Sequence, residues 1–174
     1  METGKALVGV VLGSKSDLAL AVKIAETFDS LAIPFEVTVA SAHRTPEDVT
    51  AYARRARSRG LKVLIGVAGL AAALPGCLAA ETTLPVIGLP VGGGALGGMD
   101  ALLAIAQMPP GIPTATVGIG SGQNAALMAA RILALDNDRI QEALWTFHSQ
   151  AADKVRASRK ELELLPLAPD EAFR

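Results

Sequence analysis

The run Ala6–Leu12, with the sequence ALVGVVL, is a continuous aliphatic segment typical of a strand that is covered on both faces of a parallel sheet. The segment Gly13–Asp17, GSKSD, follows it and opens a predicted helix that runs to about Leu31. Ser16 or Asp17 is able to cap this helix. We expect the helix to bury one apolar stripe, made of Leu18, Ala21, Val22, Ala25 and Phe28.

Strands and helices alternate along the rest of the chain. This alternation predicts the α/β class: a doubly wound, five-stranded parallel sheet in a three-layer α/β/α arrangement with right-handed crossovers. We expect one α/β domain over residues 1–158 and a C-terminal tail over residues 159–174. The further predicted strands are Pro34–Val39, Lys62–Val67, Leu84–Leu89 and Thr114–Ile119, and the last two predicted helices are Asn124–Leu135 and Asp138–Ser158.

Composition excludes several classes of function. The 174 residues are 51% hydrophobic but only 3% aromatic, so the core is expected to consist of small aliphatic side chains. A net charge of −1 argues against a nucleic-acid partner, which requires a basic surface. A lone cysteine, Cys77, excludes an internal disulfide, favours a reducing compartment and is expected to be a small buried residue. The N-terminal residues contain no secretory h-region, so we expect a cytoplasmic protein.

The middle of the chain is almost uncharged. Between Lys62 and Arg131 only Glu81 and Asp100 carry charge. The stretch Val63–Ala80 is as long as a membrane span, but glycines and a proline divide it into a strand, a turn and a short helix, so no membrane association is expected. So much uncharged surface predicts burial between subunits of a homo-oligomer.

Four predicted loops are expected to form the site. In doubly wound sheets, ligands bind outside the carboxyl ends of the strands, where the strand order reverses. For a 2-1-3-4-5 order this crevice lies between the first and third strands. The loops that meet there are Gly13–Asp17, Ser41–Thr45, Ala68–Pro75 and Pro90–Gly98.

The second loop carries the most informative motif, Ser41–Pro46, SAHRTP. The imidazole of His43 is able to move protons near neutral pH, and the guanidinium of Arg44 is able to grip a phosphate or carboxylate. Thr45 is a candidate N-cap, with Pro46 at the first helical position. The pair predicts an enzyme acting on a small anionic molecule; the alternative is a surface loop that faces water.

The first and third loops supply candidate binding groups. Hydroxyls of Ser14 and Ser16 at a helix N-terminus suit a phosphate, and the carboxylate of Asp17 suits ribose hydroxyls, although ordinary capping explains part of this set. The segment Ala71–Leu74 forms a small apolar wall, for which helix packing is the alternative interpretation.

Other motifs are rejected. The segment Gly92–Gly97 matches G-x-G-x-x-G, but it does not follow the first strand and no acidic residue lies about 20 positions later. Its glycines suit either a mobile lid or close packing. No P-loop or G-x-S-x-G motif is present. His43, His148 and Cys77 do not assemble a local metal site, and His148 is expected to be structural.

The motifs together resemble the family of 5-(carboxyamino)imidazole ribonucleotide mutases and their sister aminoimidazole ribonucleotide carboxylases of purine biosynthesis. The resemblance implies a flavodoxin-like subunit in an octamer, no metal or organic cofactor, and a ribonucleotide substrate contacted by Ser14, Asp17, Ser41, His43 and Arg44. The cavity loops add Ser16, Gly69, Ala71, Ala72, Ala73 and Leu74 to the expected substrate-binding residues. The matching segments are Gly13–Asp17, Ser41–Pro46, Ala68-Gly69, Leu74–Gly76, Pro85–Gly88, Gln107–Pro109 and Gly111–Pro113.

One position departs from this family pattern. The mutase branch usually has a histidine where this chain has Ala73, and the branch that uses CO2 directly tends to lack it. That second branch, however, usually has lysine at Arg44 and diverges around Gln107–Pro109. The resemblance therefore implies a mutase with His43 as the catalytic residue and transient CO2 in the site. A direct carboxylase and a non-catalytic nucleotide-binding paralogue are the alternatives.

Overall fold

All five strands of the sheet are parallel in the computed structural model, which describes residues 5–162 and 164–173. Their order across the sheet is second, first, third, fourth and fifth, with every neighbouring pair in parallel register. The predicted α/β class and five-stranded parallel sheet are confirmed, and the strand order is the one on which the predicted crevice depended. The strands are β1 (Val8–Leu12), β2 (Phe35–Val39), β3 (Val63–Ala68), β4 (Val86–Pro90) and β5 (Ala115–Thr116).

Helices cover both faces of the sheet. Alternate residues of β1 point to opposite sides, so Val10 belongs to one buried cluster and Val11 to the other. One layer contains α1 (Leu18–Ser30), α5 (Gly122–Leu133) and α6 (Asp138–Ser158). The other contains α2 (Pro46–Arg59), α3 (Leu74–Glu81) and α4 (Met99–Ala106). Short 3-10 turns occupy Lys15–Asp17, Ala134–Asp136, Arg159–Leu162 and Asp170–Phe173.

The predicted start and inner face of the first helix are correct only in part. A 3-10 turn precedes α1, and its cap is Ser14, whose Oγ accepts a hydrogen bond from the Ser16 amide at 3.3 Å. Asp17 occupies the N-cap position of α1 without making a side-chain cap bond. Leu18 and Val22 are exposed, and Ala25 is only half-buried. Ala21 and Phe28 are buried as predicted, and because α1 packs against α5 as well as the sheet, Ile24 and Thr27 complete the buried face.

Three further predictions need correction. β5 contains two residues rather than the six predicted; beyond it the Val117 and Gly120 amides still donate to the β4 residues Gly88 and Pro90, but without a regular ladder, and Gly120 has a positive φ. α5 begins at Gly122, two residues before the predicted start. Cys77 is half-buried on α3 rather than fully buried. The predicted bounds of α6, in contrast, are confirmed. In the described part of the chain, no helix combines the length and the apolar character needed to cross a bilayer.

Glu36 ties the edge strand β2 to α2. The Tyr52 hydroxyl donates to Glu36 Oε1 at 2.7 Å, and the Arg59 guanidinium forms an ion pair with Glu36 Oε2. Burial of the phenol, reinforced by the Glu36 carboxylate, raises the pKa of Tyr52 well above its usual range. Tyr52 therefore remains a hydrogen-bond donor at neutral pH and holds the edge of the sheet beside the second loop.

Two glycines let α3 and α4 approach the sheet. Gly66 and Gly88 are paired across β3 and β4. A Cβ at Gly66 would lie 3.1 Å from the Cα of Pro75, and a Cβ at Gly88 would overlap Cγ2 of Ile105. Because Pro75 lies in the first turn of α3, this close approach also sets the position of the preceding loop.

We predict that Gly88→Ala destabilises the protein by about 1–3 kcal/mol, since the added methyl group overpacks the contact with Ile105. Chemical denaturation measures the free energy of unfolding. In an Ile105→Ala background the clashing Cγ2 is absent, so the same substitution should cost less. An equal cost in both backgrounds would show that the contact does not limit this position.

Candidate active site

The four predicted loops meet around one cavity of about 620 Å³ at the carboxyl edge of the sheet. The cavity lies above β1 and β3, at the crevice that the sequence predicted. Every residue proposed for the site from the sequence lines it: Ser14, Ser16, Asp17, Ser41, His43, Arg44, Gly69, Ala71, Ala72, Ala73 and Leu74.

Sheet hydrogen bonding fixes where these loops begin. The Gly13 amide donates to the Val67 carbonyl at 2.9 Å, one residue after β1 ends. The Ala40 amide likewise donates to the Leu12 carbonyl at 3.0 Å, and the Val91 amide to the Ala68 carbonyl at 2.9 Å. The loops therefore leave the sheet at a common level, which brings their first residues to the same cavity.

The first loop places a buried carboxylate in the cavity lining. Asp17 is only 8% exposed, and the Ser16 hydroxyl donates to its Oδ1 at 3.1 Å. Ser14, which caps the 3-10 turn, also lines the cavity. Of these three side chains, only that of Ser14 makes a helix-capping hydrogen bond. Capping therefore does not explain why the side chains of Ser16 and Asp17 also line the cavity.

The second loop is closed by Thr45 in a way that the sequence did not predict. The Thr45 hydroxyl makes no cap bond to α2; it accepts the Ser41 amide at 3.0 Å and lies 3.4 Å from the Ser41 carbonyl. The Thr45 amide donates to that same carbonyl at 2.8 Å. Thr45 is thus the N-cap residue by position and Pro46 begins α2, as predicted, but the Thr45 hydroxyl bonds backward to the loop instead of forward to the helix.

Arg44 joins the second loop to the first. Its amide and its Nε both contact the Ser41 hydroxyl, at 3.3 and 3.4 Å, and its Nη2 donates to the Gly13 carbonyl at 3.3 Å. The guanidinium therefore faces the cavity with donors still available. The His43 side chain is exposed, and no residue in the described ranges is hydrogen-bonded to its imidazole. No hydrogen bond to the imidazole therefore contributes to its position within the described residues.

The third loop forms the apolar side of the cavity. Ala72 and Leu74 are buried in the core beneath α3, whereas Ala71 is exposed and Ala73 half-buried. Leu70 and Ala72 have φ angles of 55° and 40°, in the left-handed region that favours glycine. Each such residue costs about 1–3 kcal/mol and requires support from its surroundings. The wall thus combines core packing with a strained backbone that shapes the cavity.

The fourth loop covers the opening with glycines. Gly92, Gly93 and Gly94 line the cavity, and a Cβ at Gly94 would lie 2.9 Å from Cδ2 of Leu70. The G-x-G-x-x-G match follows β4 and leads into α4, so it does not occupy the position after the first strand that dinucleotide binding requires. Movement of this loop stays a prediction.

A family model described as AIR carboxylase matches residues 7–154. This chain belongs to the AIR carboxylase family. It is 47% identical over 163 residues to the N5-carboxyaminoimidazole ribonucleotide mutase of Pyrococcus horikoshii, in an alignment covering 94% of this chain and 92% of that protein. It is 46% identical over 157 residues to the phosphoribosylaminoimidazole carboxylase of Schizosaccharomyces pombe, covering 90% of this chain and 28% of that protein.

Structural comparison agrees with the family assignment. The crystal structure of Treponema denticola PurE matches with a TM-score of 0.82 at 30% identity, covering 90% of this chain and 98% of that one. Relatives named as mutases and as carboxylases are almost equally identical to this member of the AIR carboxylase family. The relatives named as mutases are matched over almost their whole length, 92% for that of Pyrococcus horikoshii, whereas the carboxylase is matched over 28% of its length, so coverage favours the mutases.

Several cavity residues of this AIR carboxylase family member lie within the four predicted loops but were not proposed individually as substrate contacts, Gly92–Gly94 being part of the segment considered as a lid. Leu70 carries no chemical signal, and its left-handed backbone is not visible in its identity. Ala42 and Val91 lie beside residues that were predicted, within or next to the same loops. Only their position in these loops could have identified them as cavity residues. The set contains Gly13, Ala42, Ala68, Leu70, Val91, Gly92, Gly93 and Gly94.

Proposed function

We propose that this protein is a 5-(carboxyamino)imidazole ribonucleotide mutase of de novo purine biosynthesis. It moves the carboxylate from the exocyclic amine to the ring carbon and yields 4-carboxy-5-aminoimidazole ribonucleotide. One observation carries the proposal: the cavity joins an anion-binding arginine, a buried carboxylate and a free imidazole to an apolar wall. The names of the full-length relatives support it.

The polar side of the cavity suits the ribose phosphate. We assign the phosphate to the Arg44 guanidinium and the Ser14 hydroxyl. The guanidinium donates to the carbonyl of Gly13, the residue before Ser14, so both groups belong to the same part of the cavity. The Asp17 carboxylate accepts the ribose hydroxyls, and Ser16 orients that carboxylate. Ser41 holds Arg44 from the other side. These contacts, remote from the reacting atoms, orient the heterocycle.

His43 supplies the proton transfers in this proposal. It protonates the exocyclic nitrogen as the bond from that nitrogen to the carboxyl carbon breaks and releases CO2. The electron pair of the ring carbon then attacks the CO2 carbon to form the new carbon–carbon bond. His43 finally removes the proton from that ring carbon, so the reaction is a net isomerisation. Its accessible imidazole, free of protein hydrogen bonds in the described structure, suits this role.

The apolar wall retains the CO2 between these steps. Ala71, Ala73 and Leu70 present methyl and methylene groups to the cavity, and Gly92–Gly94 lie above them. A small apolar molecule has no hydrogen bonds to lose in such a pocket. Excluding water also favours breakdown of the charged carbamate.

We predict that His43→Asn lowers turnover of the carbamate nucleotide by about 10²-fold or more, because the proton carrier is lost. Nucleotide binding, measured by calorimetry, should persist, since the phosphate and ribose contacts remain. His148→Asn is the matched control, because His148 is exposed on α6 and edge-on to Trp145 at 6.0 Å. Unchanged turnover in His43→Asn would remove His43 from the chemistry.

Direct carboxylation is the second candidate, favoured by the alanine at position 73. Purified protein is supplied either with the carbamate nucleotide or with aminoimidazole ribonucleotide and bicarbonate. A mutase converts only the first, whereas a carboxylase converts the second at low CO2. Conversion of neither, with nucleotide still bound, would indicate the non-catalytic paralogue.

We predict that Ala73→His raises mutase turnover relative to carboxylation, because the half-buried Ala73 faces the cavity at the position where the mutase branch usually has histidine. Rates with both substrate sets measure the change. Ala71→His places the same side chain on the same wall two residues earlier and serves as the control. An unchanged ratio would show that the departure at position 73 is neutral.

We further propose that the protein is a cytoplasmic homo-oligomer, with the octamer as the implied state. Exposed apolar side chains on several elements support association, since a monomer would leave them in water. We predict a mass near eight times that of the 17.8 kDa chain by light scattering. A monomeric mass at micromolar concentration would contradict the proposal. The exposed set includes Leu18, Val22, Val37, Val39, Met99 and Leu103.

A further inference from the structure

Thr45 breaks a local rule of helix structure. It occupies the N-cap position of α2, where a threonine hydroxyl ordinarily accepts an amide of the first helical turn. Here the hydroxyl turns away from the helix and accepts the Ser41 amide at 3.0 Å. The hydroxyl therefore does not cap the helix; its hydrogen bond to Ser41 instead closes the loop that carries His43. Departures of this kind concentrate at functional sites.

The closure acts on all three residues inside the loop. Ser41 and Thr45 are joined by the amide of Thr45 to the Ser41 carbonyl at 2.8 Å as well as by the hydroxyl bond. The Ser41 side chain in turn accepts from the Arg44 amide and Nε. Arg44 reaches the Gly13 carbonyl. A continuous series of hydrogen bonds therefore runs from Thr45 through Ser41 and Arg44 to the first loop.

His43 depends on this series. Its imidazole is exposed and has no hydrogen-bond partner among the described residues, so no hydrogen bond to the side chain orients it. Its Cα position and direction follow from the closed turn between Ser41 and Thr45. We propose that Thr45 is a positioning residue, whose hydroxyl holds the loop so that His43 faces the reacting heterocycle. This inference rests on the proposed function, and Thr45 itself is not among the residues lining the cavity.

The test compares three variants with the wild type. Thr45→Val keeps the β-branched shape and removes the hydroxyl, while Thr45→Ser keeps the hydroxyl. Thr50→Val is the matched control, because Thr50 lies on the same helix and its hydroxyl donates to Glu81 Oε1 at 3.5 Å, away from the loop. Thermal melts establish that each variant is folded.

We expect Thr45→Val to lower kcat about tenfold to a hundredfold, the loss that small misplacements of catalytic groups produce. KM should rise, since Arg44 belongs to the same hydrogen-bonded series. It should change less than kcat, because Ser14 and Asp17 bind the nucleotide from another loop. Thr45→Ser should restore most of the turnover, and Thr50→Val should match the wild type. Wild-type kcat in Thr45→Val would overturn the proposal, as would an equal loss in Thr45→Ser, which would indicate a packing role for the methyl group.

A measurement independent of turnover separates this proposal from the proposed function. The Ser41 amide is bonded to the Thr45 hydroxyl, so its hydrogen exchange should be about tenfold faster or more in Thr45→Val and near wild type in Thr45→Ser. Unchanged exchange in Thr45→Val would overturn the positioning role whatever the reaction. If the wild type does not convert the carbamate nucleotide, the proposed function fails, and the exchange result still decides whether Thr45 holds the loop.

Discussion

The amide of Gly13 donates to the carbonyl of Val67, so the hydrogen bonding of the sheet continues beyond β1 and into the first cavity loop. Equivalent bonds lead from β2 and β4 into the next loops. A parallel sheet places the carboxyl ends of all its strands on one edge. Because these hydrogen bonds continue past the strand ends, the loops also leave the sheet at the same height. The positions of Asp17, Arg44 and the alanine wall all depend on it.

Much of this arrangement could be predicted from the sequence. The predictions that were wrong have specific physical causes. Aliphatic runs such as Ala6–Leu12 identify buried parallel strands, because both faces of such a strand must be apolar. The loops that follow the carboxyl ends of parallel strands then all lie at the same edge of the sheet. Thr45, however, has two possible partners, the helix ahead and the loop behind, and its identity does not say which bond forms. The inner face of α1 was similarly decided by α5, a helix about 100 residues away in sequence. Long-range packing of this kind is absent from a local periodic pattern.

The cavity has two chemically different sides, and the chain builds them differently. On the polar side, hydroxyls, a carboxylate and a guanidinium hold one another through hydrogen bonds. On the apolar side, small residues are placed by the close contact of Pro75 with Gly66 and Gly88. In the proposed function the first side binds the charged ligand, and the second excludes water from it. Among the described residues, neither side is lined by a Phe, Tyr or Trp side chain, in agreement with the low aromatic content of the chain.

The left-handed conformations of Leu70 and Ala72 make the apolar wall costly to fold. Glycine at either position would relieve that cost but would also loosen the chain there, because glycine restricts the backbone less. Selection for heat resistance and selection for a well-shaped cavity consequently pull these two positions in opposite directions. A variant of this protein selected for stability alone would therefore lose activity first through changes at this wall.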